Sequence, residues 1–214
     1  VPPINGKDIV IKYFLKEIKI SKFDWVTYLS ATSVYGNHDG KWVDEKTVCN
    51  PTSENGKARL NAENKWLNLF EFGVPLQIFR LSGIYSQNNN VLYRLMNNNS
   101  YIVDKKNHFF SRIHLEDISN IIIKSFLKFK PGEIYNISDD KPASSKDVTL
   151  YGAKILSKEV PKKVQVNELQ SEMLKNFYKD SKKIKNDKAK KFFEYEMKFP
   201  SYIEGLNYIK NNII

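Results

Sequence analysis

The stretch WVTYLSATSVYG at residues 25–36 decides the fold, because an apolar run ends there in a cluster of small polar residues. The run at 25–30 predicts a β-strand whose carboxyl end carries the polar residues. Further on, PTSENGKAR at residues 51–59 leads into apolar residues at every fourth position, Ala58, Ala62, Trp66 and Phe70. This spacing predicts a helix from Ser53 to Phe72, ended by Gly73, with its apolar stripe against a sheet.

The order of these segments resembles the extended short-chain dehydrogenase/reductase family, which includes the NAD-dependent epimerases and dehydratases of nucleoside-diphosphate sugars. In that family the strand carries S-S-x-x-V-Y-G and the helix carries P-Y-G-x-S-K. Aligning Gly36 and Gly56 with these motifs places Ala31 at the catalytic Ser or Thr, Asn55 at the Tyr and Arg59 at the Lys. The resemblance therefore implies an atypical member with a replaced catalytic set.

These replacements remove the proton chemistry of the family. In the family the Tyr phenol exchanges a proton with a sugar hydroxyl or ketone, and the Lys lowers the phenol pKa and holds the cofactor ribose. The amide of Asn55 has no proton to exchange near neutral pH. Arg59 can hydrogen-bond the ribose hydroxyls but cannot relay a proton, because its pKa is far too high. A solvent-facing position on the helix is the alternative for Arg59.

The resemblance also implies contacts with an NAD or NADP cofactor and with a sugar nucleotide. The cofactor contacts are Val1, Pro2, Ser30, Arg59, Leu81, Ser82 and Gly83. The substrate contacts are Thr32, Ser33, Tyr35, Tyr85 and Arg112. Tyr35 is also the candidate for a relocated acid, because open α/β sheets place ligands at the carboxyl ends of their strands. A structural Tyr35 is the alternative.

Arg112 is the candidate for holding a substrate diphosphate. The family often places an arginine two positions earlier, at Phe110, and residues two apart in an extended segment project from the same face. Arg112 can therefore reach the same place and bind a diphosphate through two parallel hydrogen bonds. A salt bridge from Arg112 to Glu116 or Asp117 is the alternative.

The three histidines and the single cysteine show no pattern of a metal site. His114 stands in the family's I-H-V-x-D pattern and is interpreted as structural, with Asp117 serving the first turn of the next helix. His38 and His108 show no metal-ligand spacing with carboxylates or with Cys49.

Composition narrows the class of protein. The chain has 214 residues, of which 41% are hydrophobic, enough for a sizeable core, and no apolar run approaches the length of a membrane span. One cysteine excludes an intramolecular disulfide, and together with the lack of a leader sequence it predicts a cytoplasmic protein.

The net charge of +10 permits a polyanionic partner, but the lysines are spread along the chain, so nucleic-acid binding rests on charge alone. The densest run, Lys179 to Lys191, is interpreted as a solvated helix face.

Strands that alternate with helices predict an α/β fold of parallel βαβ units. Helices are expected near 8–18, 53–72, 91–96 and up to Leu156, and strands near 25–30, 75–81 and 133–137, with an extended piece at 101–104. Residues 112–117 open a helix whose buried side carries Ile118, Ile121, Ile122, Ser125 and Phe126, and residues 161–214 are expected to be helical and basic. The resemblance implies a Rossmann-like parallel sheet within a single domain, 1–214. We expect the sheet mainly in 1–83 and 113–138, and a smaller mixed α/β substrate lobe mainly in 84–112 and 139–200.

The 214 residues contain no G-x-G-x-x-G or G-x-x-G-x-x-G spacing. Because that turn cradles the cofactor pyrophosphate at a helix N-terminus, we expect the nucleotide-binding half of the family fold to lie outside this sequence.

Two functions follow from the resemblance. The first is an NAD(P)-dependent, epimerase/dehydratase-like protein that acts on or binds a nucleoside-diphosphate sugar. The second is a non-catalytic regulatory protein that senses NAD(P) or a sugar nucleotide; a homodimer is compatible with either.

Overall fold

The computed structural model of the protein describes residues 3–4, 6–103 and 105–213. The described helices are α1 (Ile9–Ile20), α2 (Glu54–Glu71), α3 (Val91–Met96), α4 (Leu115–Leu127), α5 (Ser145–Ile155), α6 (Glu172–Phe177), α7 (Asp187–Phe193) and α8 (Tyr202–Ile213). The described strands are β1 (Val26–Ala31), β2 (Trp42–Val43), β3 (Leu76–Leu81), β4 (Gly83–Tyr85), β5 (Ile102–Val103), β6 (Arg112–His114), β7 (Ile134–Ile137), β8 (Lys163–Val164) and β9 (Lys183–Ile184). Short 3₁₀ turns occupy Thr32–Tyr35 and Val166–Glu168.

The central sheet is parallel and has the strand order β1-β3-β7. Ala31 pairs with Leu81, and Leu81 pairs with Ile137, so the carboxyl ends of the three strands lie side by side. The loops that follow these strands therefore meet at one end of the sheet, where α/β folds place their ligands. This arrangement confirms the predicted α/β fold with a parallel sheet.

Strand β3 lies at the centre of this sheet, and all six of its residues are buried. A strand covered on both faces is expected to be apolar throughout, yet β3 contains Gln77 and Arg80. The Gln77 amide donates to Thr27 Oγ1 at 2.8 Å, and the Arg80 guanidinium bonds Glu63 of α2 at 2.7 Å. The sheet and α2 are therefore joined by a buried ion pair as well as by apolar packing.

Helix α2 packs on the sheet as its spacing predicts. Ser53 Oγ caps the helix by accepting from the Gly56 amide at 3.1 Å, and Ala62, Trp66 and Leu69 are buried against the sheet. Phe70, the last member of the predicted stripe, is 36% exposed and lies at the rim. No helix in the described part of the chain is both long and apolar enough to cross a membrane.

Three pairs of short parallel strands complete the fold, namely β2 with β9, β4 with β6 and β5 with β8. Helices α3, α5 and α8 pack around a second core that contains Tyr85, Leu92, Leu95, Ala153 and Leu206. Pair β4–β6 continues from the carboxyl end of β3, so this second core adjoins the end of the central sheet.

Three expectations about the basic and apolar helices were wrong. Lys179 to Lys191 is not one solvated helix face, because Lys183 and Ile184 form β9 and Ile184 is 2% exposed. The region after Pro161 likewise contains β8 and β9 beside its helices. On α4, Phe126 does not face the core: it is 60% exposed and stacks on Trp25, with ring centroids 4.2 Å apart.

Candidate functional site

A cavity of about 780 Å³ opens at the carboxyl ends of β1 and β3. We call it the main cavity. Its wall comes from residues 31–33 after β1, the first turns of α2, residues 81–83 after β3, the segment before β6, and the segment from α6 to β9. The cavity lies at the end of the sheet where open α/β folds bind their ligands.

All three positions of the replaced catalytic set line the main cavity: Ala31, Asn55 and Arg59. Asn55 reaches it because α2 begins very close to the 3₁₀ turn that follows β1. A Cβ on Gly56 would lie 2.8 Å from the backbone oxygen of Ser33, a distance that side chains do not tolerate. The glycine therefore permits the approach that brings the first turn of α2 to the cavity.

The Arg59 side chain is half-buried and partly committed to the protein. Its Nη1 donates to the backbone oxygen of Leu29 at 2.8 Å. This bond fixes the guanidinium beside β1, at the wall of the main cavity rather than in bulk solvent. The remaining N–H groups of the guanidinium are the donors that a ligand hydroxyl could use.

Ser82 offers the main cavity a buried hydroxyl. Ser82 is 4% exposed, its Oγ has no hydrogen-bond partner among the described residues, and it lines the cavity between Leu81 and Gly83. A buried polar atom without a partner is costly, so this hydroxyl suits a polar ligand group. Ser30 is also buried with an unpartnered Oγ, but it is not among the lining residues. Val1 and Pro2 lie outside the described residues.

The structure does not support Tyr35 as a substrate contact or relocated acid. Tyr35 is fully buried, and its hydroxyl donates to Asn136 Oδ1 at 2.8 Å. The Arg80 guanidinium lies 4.9 Å from its ring centroid, and burial raises the pKa of Tyr35 to about 12. Thr32 and Ser33, from the same turn, do line the main cavity, whereas Tyr35 does not.

A second cavity, of about 400 Å³, adjoins the first between β4, β6, α3 and α5. We call it the side cavity. Tyr85 and Arg112 both line it, and Phe110 and Phe177 line both cavities. The rings of Phe110 and Phe177 stack in parallel, with centroids 4.1 Å apart. This aromatic pair stands at the boundary of the two cavities.

Arg112 is held by backbone oxygens. Its Nη1 donates to Phe110 at 3.1 Å and to Ala143 at 2.9 Å. The predicted alternative, a salt bridge to Glu116 or Asp117, does not form among the described residues, because Glu116 bonds Lys198 and Asp117 accepts from the backbone amides of Lys198 and Phe199.

A buried carboxyl group lies near Arg112. The Asp139 amide donates to the Arg112 backbone oxygen at 2.7 Å, and neither oxygen of its side chain has a partner among the described residues. Burial raises the pKa of Asp139 well above its usual value, and the nearby Arg112 opposes the shift.

The histidines have structural surroundings. His114 Nδ1 accepts from the Glu116 amide at 3.2 Å at the start of α4, and its ring lies 4.1 Å from that of Phe199. His38 Nε2 lies 3.1 Å from the Tyr35 backbone oxygen, and the His108 ring meets Phe110 edge-to-face and lies tilted against Tyr178. The described residues contain no group of three or more side chains able to hold a metal ion.

Sequence reasoning missed three charged residues of the main cavity: Glu54 in the first turn of α2, and Asp180 and Lys182 further along the chain. The last two belong to the lysine-rich run that was interpreted as a solvated helix face. Nothing local in that run signals a cavity, because β9 is formed by pairing with β2, far away in the sequence.

Comparison with known proteins agrees with this architecture. No family model and no curated protein matches the chain. Among solved structures, UDP-glucuronic acid 4-epimerase from Bacillus cereus, in complex with UDP-glucuronic acid and NAD, has 22% identity and a TM-score of 0.77, over 95% of this chain and 67% of that one. The dTDP-glucose 4,6-dehydratase from Bacillus anthracis str. Ames, in complex with NAD, has 17% identity and a TM-score of 0.75, over 96% and 66%.

The fold is therefore the Rossmann-like α/β fold that these two structures share. A conserved protein of unknown function from Silicibacter pomeroyi DSS is more similar, with 34% identity and a TM-score of 0.94, over 99% of this chain and 76% of that one. The chain belongs to the family of that protein.

Proposed function

We propose that this chain contributes the substrate half of a protein that binds a nicotinamide dinucleotide together with a nucleoside-diphosphate sugar, at a site whose usual Ser/Thr-Tyr-Lys set is replaced. The observation that carries the proposal is the main cavity. It gathers Ala31, Asn55 and Arg59 at the carboxyl end of a parallel sheet and has room for the nicotinamide end of a dinucleotide.

The residues present fit the cofactor at this end. Arg59 would hold the ribose hydroxyls and place a positive charge near the ring, and the unpartnered Ser82 hydroxyl would bond the carboxamide or ribose. When bound, the nicotinamide supplies hydride donation or acceptance. Asn55 can orient a substrate hydroxyl by hydrogen bonding, but it cannot exchange the proton.

The side cavity is the proposed site of the sugar nucleotide. Arg112, half-buried beside a carboxyl whose pKa is raised, presents a cation to a diphosphate. Phe110 and Phe177 offer aromatic faces at the passage to the main cavity. A substrate that spans both cavities would place its sugar near Thr32, Ser33 and Asn55.

Calorimetric titration of the full-length protein with NAD⁺, followed by UDP-glucuronic acid, tests this proposal. We expect Arg59→Ala to weaken NAD⁺ binding by about 1.5 to 3 kcal/mol, the range of a hydrogen bond to a charged group. The matched control is Lys65→Ala, since Lys65 is exposed on the same helix. Absence of binding by the unmodified protein, or equal effects of both substitutions, would contradict the proposal.

A second candidate is a non-catalytic sensor of the same ligands. Asn55 favours the sensor, because an amide stands where the family has the tyrosine that carries the proton, while the cavity stays open to ligands. Absorbance at the reduced-nicotinamide band distinguishes the two: a sensor binds both ligands and reduces no NAD⁺.

A further inference from the structure

Lys182 is a buried amine on the wall of the main cavity. Lys182 directly precedes strand β9. The backbone amide of Lys183, the first residue of β9, donates to the Lys41 backbone oxygen at 2.9 Å. Because β9 pairs with β2, the Lys182 backbone is held by the sheet pair rather than by a free loop. The Lys182 side chain is only 12% exposed.

Two neighbours hold the Lys182 ammonium group. Its Nζ donates to the Gly36 backbone oxygen at 2.8 Å and lies 3.7 Å from Asp180 Oδ2. Gly36 is fixed in turn, since a Cβ there would lie 1.9 Å from the Asn50 backbone oxygen. Asp180 is fixed by Thr52, whose hydroxyl donates to Asp180 Oδ1 at 2.6 Å. An ammonium group has three N–H bonds, so these two contacts do not use all of its donors.

The charges around Lys182 come from several elements. Asp180 lies on its own segment, and Glu54 and Arg59 of α2 line the same cavity. Lys183 follows it, with Nζ over the rings of Trp42 and Phe109 at 5.4 and 5.1 Å. The His38 ring lies against the Tyr35 backbone oxygen, one residue before Gly36.

Among these groups, Lys182 has the features of a proton carrier. Burial lowers the pKa of Lys182, with Asp180 opposing the shift, so its neutral form is reached at a lower pH than that of an exposed lysine. The Arg59 guanidinium stays charged, and the Glu54 side chain is 89% exposed and paired with Lys57. Asn55 has no exchangeable proton near neutral pH.

We propose that Lys182 exchanges the proton of the reacting substrate hydroxyl in the main cavity, the task that Asn55 cannot perform. The inference rests on the proposed function. In the oxidative direction, the O–H bond breaks and its proton passes to the neutral Lys182 amine, which becomes an ammonium. The adjacent C–H bond breaks, and its hydrogen leaves with the bonding electron pair for the oxidised nicotinamide dinucleotide. The alcohol becomes a ketone, the dinucleotide is reduced, and the reverse step returns the proton.

The first test measures the amine itself in the full-length protein. Lysines are acetylated briefly with acetic anhydride across a series of pH values, and the extent at each lysine is read by mass spectrometry. We expect Lys182 to titrate below the exposed Lys185, and UDP-glucuronic acid with NAD⁺ to slow its labelling at least fivefold while Lys185 is unchanged. The inference is overturned if calorimetry shows binding while Lys182 is unprotected or titrates with Lys185.

The second test measures the reaction with Lys182→Arg, which keeps the charge but does not release a proton near neutral pH. We expect NAD⁺ reduction with UDP-glucuronic acid to fall about 100-fold or more, with affinity for both ligands changed less than threefold. Lys185→Arg is the control and should keep the unmodified rate. For Lys182→Ala, ethylamine should restore part of the rate, which a structural loss would not allow.

The remaining outcomes separate the two proposals. Retained rate and pH profile in Lys182→Arg overturns the role of Lys182 and leaves the proposed function standing. Ligand binding without NAD⁺ reduction by the unmodified protein also overturns that role and favours the sensor. Absence of all binding overturns the proposed function, and the inference falls with it.

Discussion

Removal of Glu63 should destabilise the protein strongly, because it would leave a buried arginine without its counter-ion. Arg80 Nε and Nη2 bond both oxygens of Glu63, at distances between 2.7 and 3.2 Å. The side chains are 5% and 1% exposed. Breaking one partner of such a pair costs about 3 to 5 kcal/mol, since the other charge stays buried. We therefore expect Glu63→Ala to lower the free energy of unfolding by that amount, a large part of the usual total.

The double variant Glu63→Leu with Arg80→Met tells whether the ion pair adds to the stability of the fold or only offsets the cost of burying its two charges. Replacing both charges by apolar groups of similar size is often neutral, so we expect its stability to lie within about 1 kcal/mol of the unmodified protein. The assay is urea unfolding followed by tryptophan fluorescence, because Trp66 lies on the same helix as Glu63. Glu71→Ala, at the exposed end of α2, is the control and should cost less than about 0.5 kcal/mol.

Two results would refute this reasoning. A cost below about 1 kcal/mol for Glu63→Ala would show that solvent reaches Arg80 in solution. A double variant as unstable as Glu63→Ala would show that the loss comes from packing around Tyr35, whose ring lies under the guanidinium.

Three further predictions concern the site and its supports. Arg112→Ala should weaken UDP-glucuronic acid binding by about 1.5 to 3 kcal/mol in calorimetry, whereas exposed Lys141→Ala should not change it; a lower melting temperature with unchanged affinity would make Arg112 purely structural. Gly56→Ala should destabilise the fold by about 1 to 3 kcal/mol in urea unfolding, despite alanine's better helix propensity, because its Cβ would meet the Ser33 oxygen at 2.8 Å; a gain in stability would contradict this packing. Burial lowers the pKa of His108 to about 4, so the unfolded chain takes up a proton first and stability should fall as pH drops from about 6.5 to about 4. The loss should be on the order of 1 to 2 kcal/mol after solvent screening, and His108→Gln should flatten it; an unchanged pH slope in that variant would assign the loss to other groups.

Local patterns were enough to predict the central βα units. Strand β1, helix α2 and strand β3 lie within one or two residues of their predicted bounds, because apolar spacing and the stop at Gly73 are local signals. Ala31, Asn55 and Arg59 were assigned through the family resemblance, by aligning Gly36 and Gly56 with its motifs, and all three line the main cavity.

The side-chain positions that local sequence patterns could not predict are those that depend on contacts between residues far apart in the chain. Tyr35 stands beside Thr32 and Ser33 in the sequence, but the 3₁₀ turn directs its side chain inward to Asn136. The alternative considered for Arg112, a salt bridge to Glu116 or Asp117, rested on nearness along the chain, yet Arg112 bonds the backbone of Ala143. Lys182 reaches the cavity only because a two-residue strand pairs with Trp42 and Val43, and two residues are too few for any periodicity.

The residues that carry the family resemblance mainly pack the fold. This explains how these residues can match the family while the residues aligned with its catalytic set differ. Val34 and Tyr35 are fully buried, and Gly36 and Gly56 lie where a side chain would meet backbone oxygen atoms. Val34, Tyr35 and Gly56 pack where α2 meets the turn after β1, and Gly36 packs on the backbone of Asn50. The side chains at positions 31, 55, 59 and 182 line the main cavity, and the proposed chemistry depends on them. A motif of this kind therefore predicts where a ligand binds, and only the side chains on the cavity wall can show what happens to it there.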